Sequence, residues 1–498
     1  MTVLIDTVQP RIPPRTRNAA SEREPPRPEA KPPPLYQPRE PIYPKLVHGP
    51  FRALKWALMG VMLAIYYGVP WIRWARPGGA PQQAVMVDFS HARFWFGPIH
   101  LWPQDVYFIT GLLVMAALAL FLSNALFGRL WCGYACPQTV WTDLYIHVER
   151  LFEGDRNARI RRDRQAWNLD KIVRKSGKHA AWLLIAAATG GAWIFYFQDA
   201  PSLWRQFWSG AAPLSAYTSF VILTFTTYML AGMMREQVCT YMCPWPRIQG
   251  AMLDAHSLQV TYRRDRGEPR GAHKASTSWA DRGDCIDCQQ CVVACPMGTD
   301  IRDGGQLECI NCALCIDACD EIMDKVGRPR GLIAYDTDAA VLAREAGKTP
   351  TYRLIRPRTI YYATALVVVS ALMLWGLLQP RVLDLHVVRD RNPMFVRLHD
   401  GAIRNGYTLK IANRMLEPQA VRIGFTGVPS VVLKTPGEAA ARGELTAVLD
   451  PDAEASLRVL VSAPPRAQLT AMTPAAFIVN VKGASKIQAT VFAAAAAP

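Results

Sequence analysis

Five long apolar runs organise the chain, at about 53–72, 105–127, 179–198, 216–234 and 359–378. Each is near the roughly 20 residues that cross a bilayer. Trp56, Trp71, Trp182, Trp193, Tyr361 and Trp375 stand at several of their ends, as in the aromatic belt of a membrane–water interface. The pattern predicts a polytopic α-helical membrane protein of five spans. Five buried helices of one large soluble core account for it less well, because nearly uncharged runs of this length recur. Beyond the fifth run the period changes from helical to alternating, at Thr408–Ala412, Val421–Phe425, Leu457–Val461 and Phe477–Val481. Gly, Pro and Asn punctuate these segments, which predicts an all-β sandwich of roughly 100 residues.

Residues 1–50 carry thirteen prolines and almost no apolar run. Such a segment cannot bury enough surface to offset its ordering entropy, so a disordered tail is expected, without the short apolar core of a signal peptide. The chain thus divides into the Pro-rich tail (1–50), a two-span unit (51–178), a second two-span unit (179–270), a cysteine-rich segment (271–358), the fifth span (359–379) and an outer domain (380–498).

Composition refines this. The 498 residues hold 56 Lys+Arg against 40 Asp+Glu, a net +16, and a mean hydropathy of +0.04, an average over unlike parts. A basic excess fits nucleic-acid binding or the cytoplasmic loops of a membrane protein. Its distribution chooses the second. Segment 128–178 has eleven Lys/Arg and the tail 1–50 has eight, against three in 73–104 and one in 199–215. The N-terminus, 128–178 and 235–358 are expected in the cytoplasm and 380–498 in the periplasm, across a bacterial cell inner membrane. Anionic membrane lipid, with no nucleic acid, is the partner this basic loop calls for.

The sharpest motif is Cys285-x2-Cys288-x2-Cys291-x3-Cys295-Pro296, repeated as Cys309-x2-Cys312-x2-Cys315-x3-Cys319. Three thiolates on a tight loop hold three corners of a [4Fe-4S] cube, and the fourth cysteine reaches the other cube. One cluster is assigned to Cys285, Cys288, Cys291 and Cys319, the second to Cys309, Cys312, Cys315 and Cys295. Asp320 stands where a proline usually follows the last cysteine. Zinc needs four cysteines per site but not this rhythm twice. Residues 281–324 hold ten acidic and two basic side chains, a shell that lowers reduction potential or guides a cationic partner.

The remaining four cysteines form another repeat, Cys132-Gly-Tyr134-Ala-Cys136-Pro137 after the second run and Cys239-Thr-Tyr241-Met-Cys243-Pro244 after the fourth. Thiolates four residues apart suit a soft ion, above all Cu(I). Inert buried thiols are the alternative, set against the repetition of C-x-Y-x-C-P. Met233, Met234 and Met242 are read as packing, His147 and His256 as surface residues, and Asp105 as a cap of the second span.

With these motifs in order, the chain resembles the FixG/CcoG/RdxA family of cytochrome oxidase accessory proteins over nearly all its length. Residues Trp131–Trp141 (WCGYACPQTVW), the second C-x3-C-P, the doubled ferredoxin motif, a fifth span and a C-terminal immunoglobulin-like domain follow the family's order. The resemblance implies an electron-transfer oxidoreductase of cbb-type cytochrome oxidase assembly, reducing Cu(II) to Cu(I). Two [4Fe-4S] clusters sit on the eight ferredoxin cysteines, and copper meets Cys132, Cys136, Cys239 and Cys243 as catalytic thiols. Implied partners are a cytoplasmic electron donor and oxidase assembly factors or copper chaperones. Two other functions fit the same motifs: a quinol-linked membrane ferredoxin subunit, and a non-enzymatic copper carrier or assembly scaffold.

Overall fold

The computed structural model describes residues 41–77, 80–273, 278–280, 282–379, 383–437, 440–465, 467, 469–481 and 484–494. Most of the expected disordered tail, residues 1–40, lies outside them. In chain order the helices are α1 Pro50–Gly68, α2 Val106–Phe127, α3 Leu130–Tyr134, α4 Pro137–Glu153, α5 Arg156–Arg164, α6 Leu169–Ile194 and α7 Ala200–Ser209. They continue with α8 Leu214–Thr227, α9 Trp245–Met252, α10 Arg264–Gly267, α11 Gln290–Ala294, α12 Leu314–Lys325, α13 Asp338–Glu345 and α14 Pro357–Leu378.

Local chemistry sets their ends. Proline occupies the first turn of α1, α4 and α14, where its missing N–H costs nothing. The Asn168 side chain accepts from the Lys171 amide at 2.8 Å and starts α6. The α2 helix stops at Gly128, whose φ of +60° favours glycine.

Four helical stretches are long and apolar enough to cross a membrane: Pro50–Trp71, Pro103–Phe127, Leu214–Met234 and Pro357–Leu378. The expected fifth, 179–198, does not qualify. Most of it belongs to α6, whose first turns carry Lys171, Arg174, Lys175, Lys178 and His179, and whose later residues are small. Trp182, Ala186, Thr189 and Gly190 are buried. A Cβ at Gly190 would lie 2.9 Å from the Phe220 carbonyl of α8. This face is built for close helix contact, and its apolar content is lower than that of the other four; α6 still runs from the cluster end of the helices to the β1 end, where the Val87 amide donates to the Tyr196 carbonyl at 2.8 Å.

At one end of the helices sits the cysteine-rich segment. Strands β4 Gln259–Tyr262 and β5 Ile333–Asp336 pair antiparallel beneath it. At the other end a small sheet, β1 Val85–Asp88, β2 Arg93–Phe96 and β3 Ile99–Leu101, meets the C-terminal domain. There Arg93 bonds Asp452 at 3.4 Å and His100 bonds the Arg414 carbonyl oxygen at 3.1 Å.

The C-terminal domain is an immunoglobulin-like sandwich. Its strands are β6 Leu383–Arg389, β7 Val396–Arg397, β8 Ile403–Asn413, β9 Gln419–Thr426, β10 Val432–Lys434, β11 Ala441–Arg442, β12 Glu444–Leu449, β13 Ala453–Ala463, β14 Met472–Val481 and β15 Ala484–Ala493. One sheet runs β11-β10-β13-β8-β6, with β7 on β8, and the other β12-β9-β14-β15. The four alternating segments of the sequence fall in β8, β9, β13 and β14. Their inward residues, among them Leu409, Ile411, Ile423, Val459, Val461, Phe477 and Val479, form one fully buried core. Alternation at period two does this directly: one face of each sheet goes to the core and the other to water.

Candidate functional site

The two C-x2-C-x2-C loops share one backbone device. Asp287 and Gln289 in the first, and Asn311 and Ala313 in the second, all have φ between +55° and +60°. These are the second and fourth positions after the leading cysteine in both loops, and none is glycine. Left-handed backbone at non-glycine residues costs of order 1–3 kcal/mol each and persists where surroundings impose it. Here it coils the loop, and in the second loop Cys309, Cys312 and Cys315 all border one cavity. Each loop then enters a helix, α11 or α12. Cys295 sits at the C-cap of α11 and Cys319 in the second turn of α12.

Cys295, Cys309, Cys312 and Cys315 line one cavity together with Cys291 and Met297. Cys319 lies among Cys291, Cys288 and Cys285, whose charges act on it. Cys291, expected with Cys285, Cys288 and Cys319, borders both groupings. Among the described residues, no three His, Cys, Asp or Glu side chains converge on a single metal ion. Burial pushes the Cys291 and Cys309 thiols up to about 12. Thiolates there need a strong positive partner, which cluster iron supplies.

The surrounding elements hold the second loop. Tyr335 Oη donates to the Asn311 carbonyl at 2.6 Å and Tyr134 Oη to the Cys312 carbonyl at 3.2 Å. Asn311 Oδ1 accepts from the Val260 amide at 3.1 Å. A Cβ at Gly133 would stand 2.6 Å from the Ile310 carbonyl oxygen, so the first C-x-Y-x-C motif lies directly against this loop. Asp317 of α12 accepts from the Arg52 amide at 2.7 Å and the Phe51 amide at 3.3 Å. It thereby satisfies the N-terminus of α1 and ties the cluster helix to the first span.

The acidic character of 281–324 is partly cancelled by basic residues that folding brings in. Arg266 and Arg328 both bind Asp284, each at 2.5 Å. Arg302 binds Asp300 at 2.6 Å and also Asp287.

The four membrane-edge thiols converge. Cys132, Cys136, Cys239 and Cys243 line a single cavity of about 300 Å³, walled by Leu120, Trp131 and Trp245 and by Leu307, Glu308 and Ile310 from around Cys309. The sequence repeat is two dithiols; the tertiary structure makes one four-thiol pocket. Cys132 Sγ donates to Gln249 Oε1 at 3.2 Å. Cys136 is the N-cap of α4 and precedes Pro137. Cys239 lies in a π-helical turn, Val238–Met242, which follows another over Tyr228–Met234. Such wide turns recur at functional sites. Between them Arg235 has φ +46°, and Gln138 Nε2 donates to the Leu230 carbonyl at 2.8 Å and the Arg235 carbonyl at 3.2 Å. Burial pushes the Cys132 and Cys239 thiols up to about 12.

Met233, Met234 and Met242 do not line this pocket, and neither do His147 and His256. The His147 ring packs edge-on against Trp56, centroids 5.0 Å apart. Arg129, buried between pocket and second loop, escaped the sequence reading. Its only signal there is its position three residues before Cys132, just past an apolar run.

Comparison with known proteins follows this geometry. Residues 234–338 match a 4Fe-4S dicluster domain, 108–154 a 4Fe-4S binding domain, and 373–494 the IG-like fold at the C-terminal of FixG. The chain is 48% identical over 460 residues to nitrogen fixation protein FixG of Rhizobium meliloti, covering 86% of this chain and 88% of the relative. The chain belongs to the FixG/RdxA family. RdxB of Cereibacter sphaeroides is 50% identical over 410 residues (82% of this chain, 86% of RdxB), and RdxA of the same organism 47% over 397 (79% and 84%). A crystal structure of a FixG-related protein from Vibrio parahaemolyticus aligns with 23% of this chain and 99% of its own, at 22% identity and a TM-score of 0.20. This FixG/RdxA-family chain is thus an iron–sulfur protein with apolar helices fit for a membrane and an immunoglobulin-like C-terminal domain.

Proposed function

We propose that this FixG-like protein carries single electrons from a cytoplasmic donor to Cu(II) at the four-thiol pocket, releasing Cu(I) for the copper centre of a cbb-type cytochrome oxidase. When bound, the two [4Fe-4S] clusters supply reversible one-electron storage. The observation that carries the reading is the shared wall: Leu307, Glu308 and Ile310, flanking Cys309, line the cavity that holds Cys132, Cys136, Cys239 and Cys243. An electron leaving the second cluster has the thiols as immediate neighbours. One electron converts Cu(II) to Cu(I), and no bond to carbon changes. Thiolates favour the soft product, and a pair of them suffices for a linear ion. The walls from Leu120, Trp131 and Trp245 are apolar and offer a hard ion no ligands.

The basic loops favour the N-terminus and 128–178 in the cytoplasm; the cluster segment packs at that end, against Arg52 and Gly133, and the immunoglobulin-like domain packs at the other, on Asp105, so that it would face the periplasm. There the sandwich would meet oxidase assembly factors or copper chaperones.

The apolar lining and membrane-edge position of the pocket also favour a second reading, a quinol-linked electron-transfer subunit. The test separates them. Purified protein with dithionite-reduced clusters is mixed with Cu(II) and a Cu(I) chelator, or with a quinone. Cu(I) should appear in step with cluster oxidation, and Cys132→Ser with Cys136→Ser should slow it at least tenfold. Cluster oxidation by quinone alone would establish the second reading. Copper bound without turnover would make the protein a carrier.

A further inference from the structure

Arg129 is a buried cation whose nearest acidic influence, Glu308 in the same pocket wall, acts on it from beyond ion-pair distance. It is 5% exposed, and among the described residues it has no carboxylate within ion-pair distance. Its guanidinium donates instead to three backbone carbonyls: Leu307, Cys309 at 3.3 Å and Pro246 at 2.8 Å. It lines the four-thiol pocket beside Cys132 and Glu308. Leaving a guanidinium charge uncompensated in a low-dielectric interior is unfavourable. The second cluster, held by four thiolates, is an anion in both redox states and gains one more negative charge on reduction. Arg129 donates to the backbone of one of its ligands.

A second cation stands on another side of the same loop. Lys55 of α1 is 3% exposed and lines a small cavity with Pro296, Met297 and Ile310, residues adjoining Cys295 and Cys309, and with Arg235, Glu236, Asp143 and Cys239. It shares the Asp143 carboxylate, at 4.0 Å, with Arg52 at 2.8 Å, and its charge also acts on Cys312.

The first cluster's surroundings differ. There Arg302, Arg266 and Arg328 are each spent on carboxylates, Asp287, Asp300 and Asp284, and Cys288 is exposed to solvent.

Resting on the reading that both clusters are bound, we propose that Arg129, with Lys55, holds the potential of the cluster on Cys295, Cys309, Cys312 and Cys315 above that of the cluster on Cys285, Cys288, Cys291 and Cys319. Electrons then enter at the exposed, acid-ringed cluster and collect at the buried one, beside the thiol pocket. The step is balanced: one electron leaves the first cluster and enters the second, with no proton moved and no bond made or broken. A fixed positive charge stabilises the reduced, more negative form and raises its potential; exposure and carboxylates do the reverse. Arg129 is a positioning residue in this scheme, since it touches a cluster ligand's backbone and not the substrate.

The test is an EPR-monitored redox titration of the full-length protein in detergent, with iron content measured and Cys285→Ser and Cys309→Ser variants assigning the signals. In the wild type the second cluster should have the higher midpoint. Arg129→Met should lower that midpoint by at least a tenfold change in its reduction equilibrium, ~59 mV for a one-electron couple, and leave the first cluster unmoved. Arg129→Lys should restore most of the shift. Lys55→Met should move the same midpoint in the same direction, and it serves if Arg129→Met does not fold. A second cluster below the first in the wild type, or midpoints that fail to move or move together, would overturn the proposal, as would a protein that binds iron for one cluster only. Copper reduction is measured apart. Shifted midpoints with no Cu(I) formed would remove the copper reading and leave this one standing.

Discussion

Arg414 of the immunoglobulin-like domain donates through Nη1 to Asp105 Oδ2, 2.7 Å away, at the head of the second apolar helix. Both side chains are buried, at 6% and 3% exposure. Asp105 also accepts from the Trp102 amide at 3.1 Å, the N3 half of a capping box that opens the turn leading into α2. Arg414 binds Asp384 at 2.5 Å as well, so one guanidinium joins the first strand of the sandwich to a helix over three hundred residues earlier in the chain.

Removing Arg414 should therefore loosen the outer domain from the helices. Breaking a buried pair by deleting one partner costs about 3–5 kcal/mol. Arg414→Ala should lower the thermal transition in detergent and speed release of the immunoglobulin-like domain by limited proteolysis. Thiol and cluster chemistry at the far end should be unchanged. Equal protease resistance in variant and wild type would show that the pair does not anchor the domain.

The convergence of four thiols on one cavity predicts non-additivity. If Cys132 and Cys239 serve one site, Cys132→Ser and Cys239→Ser should each slow Cu(II) reduction strongly, and the double variant scarcely more than either. Two independent dithiols would instead give rate losses that multiply. The rate of chelatable Cu(I) formation, at equal cluster content, decides between them.

The left-handed residues of the cluster loops set a third expectation. Ala313 has φ +60°, and a β-branched side chain is a poor fit there. Ala313→Val should cost about 1–3 kcal/mol locally and cut bound iron by about half, because the second loop can no longer coil. Ala313→Gly should retain full iron. Iron assay and the absorbance near the thiolate-to-iron bands read this directly.

Acid should weaken the region behind the thiol pocket. Burial alone would raise the Glu149 carboxyl, but Arg235, Arg159 and Lys178 outweigh it and hold it below the usual carboxylate value. Arg159 reaches it at 2.5 Å, Arg235 at 2.8 Å and Lys178 at 3.5 Å. A carboxylate whose folded pKa is depressed contributes stability above its unfolded value, near 4.3, and loses it as pH falls through the folded value. Stability should thus fall with pH below about 4.5. Glu149→Gln should be less stable at neutral pH and show a shallower acid loss. An identical acid slope in both proteins would rule out Glu149 as its source.

Much of this protein is written locally. The dicluster character of the eight ferredoxin cysteines follows from spacing, because a cubane needs three thiols from one short loop and a fourth from elsewhere. The sandwich core follows from alternation, because a strand has only two faces. Four apolar helices follow from run length. Residues 179–198 mark where run length misled: the run is apolar on average, but α6 adds charge at its start and spends its small residues on contact with α8. Pairing across distance was left to the tertiary structure. Packing α3 and α4 against the π-helical turns after α8 turned two repeated dithiols into one pocket, set Arg129 against Cys309, and gave Asp105 a partner in Arg414. Such contacts join residues more than a hundred positions apart, and they depend on how whole helices seat together, which no local period or spacing records.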